Sequence, residues 1–338
     1  MTRRRIIYAA VAALLAAGLV VLLLVIADVY LHWRTQDLAG VNIRGYRGSL
    51  MPSKKPGEIR VVMLGGSTAF GWGLPSHESV PAFLERQLNA SASTRFSVVN
   101  LGAPGQGAYG FLFDLEDFAY LDYDIVCLYE GYNDLGPITQ RGLNNYLLWR
   151  RQSPVFRWTG YYPMLPVVLR EKAQAMLNGG TVNAAPGEVE FRAGLATRAA
   201  AGAMTAVADA TQGLTGSVGV LSSVPPAPSV ADECIEKWRR YCGSVRDAVA
   251  WALAKGKKVI FITQPYISDA HVEQQANVEA MLRARFGSDG RFRYVNLGRA
   301  VDLKDLAMAY DGLHLVARGN EVIAAGLVDP VMTAAGLR

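Results

Sequence analysis

The chain alternates short apolar runs with amphipathic segments over most of its length. Five runs rich in β-branched residues have the length of strands, and they read IRVVML, FSVVNL, DIVCLYE, KKVIFITQP and FRYVNLG. The segments that separate them place apolar residues at helical spacing. Strands that alternate with helices indicate a parallel sheet with helices on both faces. The pattern therefore predicts an α/β fold, and the continuous apolar character of the strands predicts a buried sheet.

Four polar, glycine-containing loops fall where such a fold binds its ligands. In open parallel sheets, ligands bind beyond the carboxyl ends of the strands. Three of the loops follow predicted strands and the fourth precedes the last predicted helix, and they read GGSTAFGWG, GAPGQGAYG, GYND and DGLH. The sequence therefore directs the search for a functional site to these loops.

The start of the chain has a different pattern. An uncharged run over 6–27 would span roughly 33 Å as a helix, which is enough for a bilayer core. Arg3–Arg5 precede the run and are expected to stay in the cytoplasm, and Tyr30 and Trp33 follow it as interfacial residues do. This pattern predicts a single-pass inner-membrane protein whose main part lies in the periplasm or otherwise outside the cytoplasm. The predicted parts are a cytoplasmic tail 1–5, a transmembrane helix 6–31, a linker 32–58 and an α/β domain 59–338 with an insertion at about 143–230.

A cleaved signal peptide is the alternative interpretation of the apolar run. Val25 and Ala27 would then form a small-residue cleavage site before Asp28. The run is longer than the about 7–15 apolar residues that are usual in a signal peptide, which favours the uncleaved anchor. Both interpretations export the bulk of the chain.

Charge and cysteine usage say little in favour of nucleic-acid or metal binding. The net charge is +5, and without Arg3–Arg5 it is +2, so there is no strong nucleic-acid footprint. No CxxC or His-rich spacing suggests a metal, and no cofactor is predicted. Cys127 lies in an apolar run, where a buried thiol is the ordinary interpretation. Cys234 and Cys242 are too far apart for a disulfide if one helix carries both, although an oxidising periplasm would permit pairing.

The alternating pattern fails over about 143–230. An aromatic stretch interrupted by proline is followed by low-complexity stretches of small residues. We interpret this segment as an insertion into the α/β domain. Packing on that domain is the favoured interpretation, and a lid or an aromatic surface on a membrane or substrate is the alternative.

Ser67 is the candidate nucleophile. It lies in a glycine-rich turn between a predicted strand and a helix, where free backbone N–H groups converge. A phosphate loop is disfavoured because the G-x-x-x-x-G-K-[ST] pattern is absent, and GGSTAFGWG does not fit the dinucleotide pattern G-x-G-x-x-G. A plain turn with a capping serine stays open.

A serine nucleophile needs a base, and the chain has four histidines. His32 abuts the membrane segment, His77 is expected in an exposed first helical turn, and His271 is expected to be solvated near a helix start. His314 has Asp311 three residues before it, so one loop carries both a base and a carboxylate to orient it. His314 is therefore the candidate base, with an ordinary loop residue as the alternative.

Acyl transfer also needs donors for an oxyanion. The Ser67 N–H, a glycine N–H in GAPGQG and the Asn133 amide are candidates, each at the end of a different predicted strand. Turn formation is the alternative role for Asn133 and Asp134.

The blocks GGSTAFGWG, NLGAPGQGA, GYND and DGLH occur in the order found in the SGNH (GDSL-type) hydrolase family, which this chain resembles from about residue 60 to residue 320, less the insertion. The resemblance implies a three-layer α/β/α flavodoxin-like fold with a parallel five-stranded sheet. It also implies site residues, namely the nucleophile Ser67, the triad members Asp311 and His314, and the oxyanion donors Ser67, Gly105 (with Gly102 as rival) and Asn133. Gly66 departs from the pattern, because many members have Asp there.

Together with the N-terminal apolar run, the resemblance implies a membrane-anchored serine esterase without a cofactor or metal. It also implies a substrate class, namely ester groups such as O-acetyl groups on a cell-envelope carbohydrate or lipid. An O-acyltransferase for surface polysaccharide with the same triad is one alternative. A non-catalytic periplasmic binding or scaffold protein is another. No G-x-S-x-G elbow is present, which disfavours the α/β-hydrolase fold.

Overall fold

The computed structural model describes residues 2–38, 40–136, 150–151, 153–179, 194–215 and 234–338. The chain divides into two compact units. One comprises Met1–Thr35 and Gln152–Gly219, and the other comprises Gln36–Arg151 and Val220–Arg338. Parts of the predicted insertion, including its low-complexity stretches, lie outside the described residues.

The second unit is built on a five-stranded parallel sheet. Its strands are β1 (Ile59–Gly65), β2 (Phe96–Asn100), β3 (Ile125–Tyr129), β4 (Lys258–Thr263) and β5 (Phe292–Asn296). Their order across the sheet is β2-β1-β3-β4-β5, and all neighbours are parallel. This is the flavodoxin-like order. The predicted fold class is confirmed, and so is the number of strands.

Helices cover both faces of this sheet. The helices of the unit are α2 (Ser67–Phe70), α3 (Val80–Ser91), α4 (Phe111–Asp117), α8 (Arg239–Ala254), α9 (Asp269–Phe286) and α10 (Ala317–Ala335). Side chains of β3 alternate between two buried clusters, as the period of two in a strand requires. Val126 and Leu128 pack with α4, α8 and α9, whereas Cys127 and Tyr129 pack with α3 and α10. The continuous apolar runs of the sequence are explained by burial on both faces.

Most of the segment predicted as a linker, from Gln36 onward, belongs to this unit. Tyr46 and Arg47 are buried. The Arg47 guanidinium donates to the carbonyl oxygens of Leu38, Gly40 and Leu74. The segment therefore packs on the α/β unit before β1 begins.

The segment around Cys234 differs from its prediction. A continuous helix from Cys234 onward was expected, but a 3₁₀ turn covers Glu236–Trp238 and α8 begins only at Arg239. Because the chain is not helical at Cys234, its Cα lies 6.5 Å from that of Cys242, and a disulfide joins the two residues. Cys127 is a buried free thiol.

The first unit combines the N-terminal helix with the described part of the insertion. Helix α1 covers Arg3–Thr35, and the insertion contributes α5 (Pro154–Thr159), α6 (Leu165–Leu177) and α7 (Leu195–Thr215). Helix α1 is long and apolar enough to cross a membrane, with a mean hydropathy of 3.0 in its best window. Length and composition alone do not distinguish such a span from a signal sequence.

The insertion contacts the last turns of α1. Asp28, which is 3% exposed, accepts hydrogen bonds from the Tyr161 hydroxyl and from the backbone N–H groups of Met164 and Leu165. The His32 ring nitrogen Nε2 lies 2.7 Å from the carbonyl oxygen of Tyr162. The sequence favoured packing of this aromatic stretch on the α/β domain, whereas these contacts are with α1. The reason is that a carboxylate on α1 satisfies the orphan N–H groups at the start of α6.

Candidate active site

Ser67 begins the short helix α2, immediately after β1 and Gly65–Gly66. Both glycines lack the space for a side chain, since a Cβ at Gly65 would lie 2.2 Å from the carbonyl oxygen of Tyr129. The helix ends at Gly71, whose φ of 78° favours glycine. The turn therefore holds the serine hydroxyl at the carboxyl edge of the sheet.

Three side chains from the two ends of the domain form one hydrogen-bonded line. Ser67 Oγ lies 2.8 Å from His314 Nε2, and Asp311 Oδ2 lies 2.7 Å from His314 Nδ1. A carboxylate only accepts hydrogen bonds, so Nδ1 carries the ring proton and Nε2 is left to accept from the serine hydroxyl. This arrangement matches that of a nucleophile, a base and an orienting carboxylate.

The loop of Asp311 fixes the carboxylate as well. Its other oxygen, Oδ1, accepts from the backbone N–H groups of Leu313 (3.0 Å) and His314 (2.6 Å). Partial burial raises the pKa of Asp311, but the hydrogen bonds from the His314 ring and from these N–H groups outweigh it, so that the pKa lies below its ordinary value. The carboxylate is therefore ionised at neutral pH.

Asn133 is brought to the turn that carries Ser67. It lies in a 3₁₀ turn, Tyr132–Asp134, directly after β3. A Cβ at Gly66 would be 2.3 Å from Asn133 Nδ2. The amide nitrogen donates to the carbonyl oxygen of Gln106 (3.1 Å) and to Glu130 Oε1 (3.2 Å). The side-chain amide thus points toward the nucleophile's turn, in addition to any role in the turn itself.

The two candidate oxyanion glycines differ in their surroundings. The N–H of Gly102 donates to Asn100 Oδ1, and a Cβ there would lie 2.4 Å from the backbone nitrogen of Phe70. Gly102 is therefore a packing position against α2. Gly105 has a φ of +74° and open space around the position of a Cβ. Because the Gly102 N–H is already donated to Asn100, Gly105 is kept as the candidate for the donor role.

Glu130 and Gln264 are site residues that sequence reasoning missed. The Glu130 carboxylate is fully buried and accepts from the N–H groups of Gly66, Gly131 and Asn133. Burial and the nearby Asp134 carboxylate raise the pKa of Glu130 to about 8, against the backbone N–H groups, which lower it.

Gln264 follows β4 and joins two of the loops. Its Nε2 donates to Thr68 Oγ1 (2.6 Å), and its Oε1 accepts from the N–H of Tyr132 (3.1 Å). A polar residue at the carboxyl end of an apolar strand is the sequence signal that would have found both Glu130 and Gln264.

The other histidines lie outside the triad. His77 is exposed, as the sequence predicted. The prediction for His271 is wrong, because its ring is buried edge-on between Tyr132 and Tyr266 rather than solvated. Burial lowers the pKa of His271 to about 4. Within the described ranges, no three His, Cys, Asp or Glu side chains converge in the manner of a metal site.

One partly exposed aromatic ring adjoins the triad. The Tyr310 ring stacks on the His314 ring, with 5.8 Å between centroids. The Tyr310 hydroxyl donates to the carbonyl oxygen of Trp72 (3.1 Å), which ties the loop of His314 to the segment after α2. Both residues are partly exposed to solvent, Trp72 at 45% and Tyr310 at 42% of their surface.

Comparison with known proteins found similarity only among solved structures. No known family model matches the sequence, and neither does any curated protein. A lipolytic protein of the G-D-S-L family from Veillonella parvula DSM 2008 is 11% identical with a TM-score of 0.41, over 80% of this chain and 97% of that chain. A family 3 carbohydrate esterase from Clostridium thermocellum is 12% identical with a TM-score of 0.42, over 83% and 98%. An acetylxylan esterase from Geobacillus stearothermophilus is 14% identical with a TM-score of 0.41, over 82% and 94%.

At these identities and TM-scores, the similar structures assign no activity to this chain. The chain's own features resemble the SGNH family independently of them. The four sequence blocks lie at the carboxyl side of a flavodoxin-like sheet, and a serine, a histidine and an aspartate from two of those blocks are hydrogen-bonded in line.

Proposed function

We propose that this protein is a membrane-anchored SGNH-type serine esterase with the triad Ser67, His314 and Asp311. The observation that carries the proposal is the hydrogen-bonded line from Asp311 through His314 to Ser67. These residues are separated by some 240 positions in the chain, and a line of this order and these distances is the arrangement that activates a serine.

Acylation begins when Ser67 Oγ attacks the ester carbonyl carbon and His314 Nε2 takes the hydroxyl proton. The carbonyl oxygen becomes an oxyanion that accepts from the N–H groups of Ser67 and Gly105 and from Asn133 Nδ2. For this, Asn133 Nδ2 gives up one of its two acceptors, the Gln106 carbonyl oxygen or Glu130 Oε1. His314 then gives its proton to the leaving alcohol, and the acyl group stays on Ser67. Water, deprotonated by His314, then attacks the acyl carbon. His314 returns this proton to Ser67 Oγ as the bond to the acyl group breaks, and the carboxylic acid is released. Asp311 holds the ring tautomer and stabilises the imidazolium throughout.

The substrate class that we propose is an ester, such as an O-acetyl group, on a cell-envelope carbohydrate or lipid. The partly exposed Tyr310 supports a carbohydrate, because an aromatic ring beside the triad offers apolar surface to a sugar ring. A periplasmic location, which the Arg3–Arg5 cluster at the start of α1 favours, would bring the enzyme to such substrates.

An uncleaved anchor is supported by the contacts of Asp28. Cleavage after Ala27 would make Asp28 the N-terminal residue and would place a new charged amino group at a site that is 3% exposed and bonded to the insertion. We therefore expect the mature protein to retain its N-terminal peptide in intact-mass analysis of the membrane fraction. The substitution Ala27→Leu blocks signal-peptidase cleavage. The intact mass of this variant should differ from that of the wild type only by the mass of the substituted side chain. A wild-type chain that begins at Asp28 would refute the anchor.

Labelling with a fluorophosphonate probe tests the proposal of an enzyme against that of a binding or scaffold protein. We expect covalent labelling of the purified protein, with the adduct on the peptide that contains Ser67, because only an activated serine displaces fluoride from phosphorus. An unlabelled, folded protein would support the non-catalytic alternative. Mass analysis of the surface polysaccharide from a deletion strain then distinguishes the two reactions, since an increase in acetyl groups indicates an esterase and a decrease indicates an acyltransferase.

A further inference from the structure

The carboxylate of Glu130 joins the loop of the nucleophile to the loop of the oxyanion amide. Glu130 is 0% exposed at the end of β3. Its Oε2 accepts from the N–H of Gly66 at 2.5 Å. Its Oε1 accepts from the N–H groups of Gly131 (3.0 Å) and Asn133 (2.9 Å) and from Asn133 Nδ2 (3.2 Å). Four donors thus face one carboxylate.

Gly66 makes room for this carboxylate. A Cβ at residue 66 would lie 2.3 Å from Glu130 Oε2 and 2.3 Å from Asn133 Nδ2. A Cβ does not come this close to atoms to which it is not bonded. Both neighbouring side chains are also held in place by other hydrogen bonds. Glu130 therefore occupies the space that a side chain at residue 66 would need, and glycine at this position is what allows the contact.

The carboxylate also fixes the direction of the groups around it. Because both of its oxygens accept from N–H groups, it orients the N–H of Gly66, which lies one peptide before the N–H of Ser67. The next peptide, Gly66–Ser67, which carries the Ser67 N–H, is held by its carbonyl oxygen, which accepts from the N–H of Phe70 (3.0 Å). Asn133 Nδ2 is held between Glu130 and the carbonyl oxygen of Gln106. Two of the three donors that we assign to the oxyanion, the Ser67 N–H and Asn133 Nδ2, are consequently set relative to each other by one buried side chain.

We propose that Glu130 is a positioning residue for the oxyanion site: it acts through Asn133 and the Ser67 turn and does not touch the substrate. This inference rests on the proposed esterase function. The substitution Glu130→Gln keeps the volume of the side chain but replaces one carboxylate oxygen with an NH₂ group. This group would face either the N–H of Gly66 or the N–H groups of Asn133, so that two donors oppose each other. A displaced donor stabilises the transition state less while ground-state binding of a small ester is retained.

A double-mutant cycle with Asn133 tests this role. For a short p-nitrophenyl ester, we expect Glu130→Gln to lower kcat about 10- to 100-fold with KM changed less than about 2-fold. Asn133→Ala should lower kcat by about 10²–10³. In the Asn133→Ala background, Glu130→Gln should cost less than about 3-fold, because the amide through which it acts is gone. Equal costs in both backgrounds, or an unchanged kcat in the single variant, would overturn the inference.

Glu58→Gln is the matched control. Glu58 directly precedes β1, and its buried carboxylate forms an ion pair with Arg60. Its replacement should lower the stability of the fold without changing kcat. If Glu130→Gln does not fold, Glu130→Asp keeps the charge and serves instead, with the same expected dependence on Asn133. Turnover that persists in a Ser67→Ala variant would refute the proposed esterase mechanism. If the Ser67→Ala variant loses turnover but the effects of Glu130→Gln and Asn133→Ala on kcat are additive, only the positioning role is refuted.

Discussion

A chain with alanine in place of Ser67 is expected to lose about 10⁴- to 10⁶-fold in kcat for a short p-nitrophenyl ester. The substitution removes the oxygen that lies 2.8 Å from His314 Nε2 and leaves the base with nothing to activate. The neighbouring Thr68 hydroxyl is not a substitute, because it is buried and bound to Gln264. The loss of one half-buried hydroxyl group should leave the thermal unfolding temperature nearly unchanged.

Ser76→Ala is the control for the Ser67 experiment. Ser76 lies in the same sequence region, and its hydroxyl donates to Asp37 rather than to a base. This variant should keep wild-type turnover and fluorophosphonate labelling. Turnover in the Ser67 variant that equals that of the control would exclude Ser67 as the nucleophile.

The sheet could be predicted from the sequence because its strands carry a strong signal. Burial on both faces makes each strand a continuous apolar run, and glycine-rich loops mark the strand ends. His314 and Asp311 could be paired from sequence because they are three residues apart in one loop. Their proximity to Ser67, in contrast, depends on the order of strands across the sheet, and the resemblance to a known family supplied it.

The features that the sequence did not reveal depend on contacts between distant segments. His271 occupies a first helical turn, which looks exposed, but Tyr132 and Tyr266 from two other segments cover it. Glu130 looks like the polar end of a strand until Gly66 is seen against it. The Cys234–Cys242 bridge depends on where α8 begins, and helix boundaries are the least certain part of a sequence-based prediction. The contact of the insertion with Asp28 joins segments more than 130 residues apart.

Asp311→Asn should lower kcat by about 10⁴-fold near neutral pH while KM changes little. The Asn side chain can still accept the N–H groups of Leu313 and His314 through its oxygen, so the loop is retained. Its amide nitrogen, however, would face His314 Nδ1 as a donor. The ring proton would then move to Nε2, which would point an N–H at Ser67 and remove the base. Rates are measured on the short p-nitrophenyl ester, alongside the rate of fluorophosphonate labelling.

This experiment separates a catalytic carboxylate from one that only shapes a turn. Asp302 and Asp305 accept the N–H two residues further on, as Asp311 does, but neither is bonded to a histidine. Asp302→Asn and Asp305→Asn should therefore leave kcat unchanged. If Asp311→Asn behaved like these two, the carboxylate would be a turn residue and His314 would need no orienting partner. Because the folded-state pKa of Asp311 lies below its ordinary value, the carboxylate stays ionised as the pH falls toward that value. The difference between wild type and variant should therefore persist across the neutral and weakly acidic range in which the wild type is active.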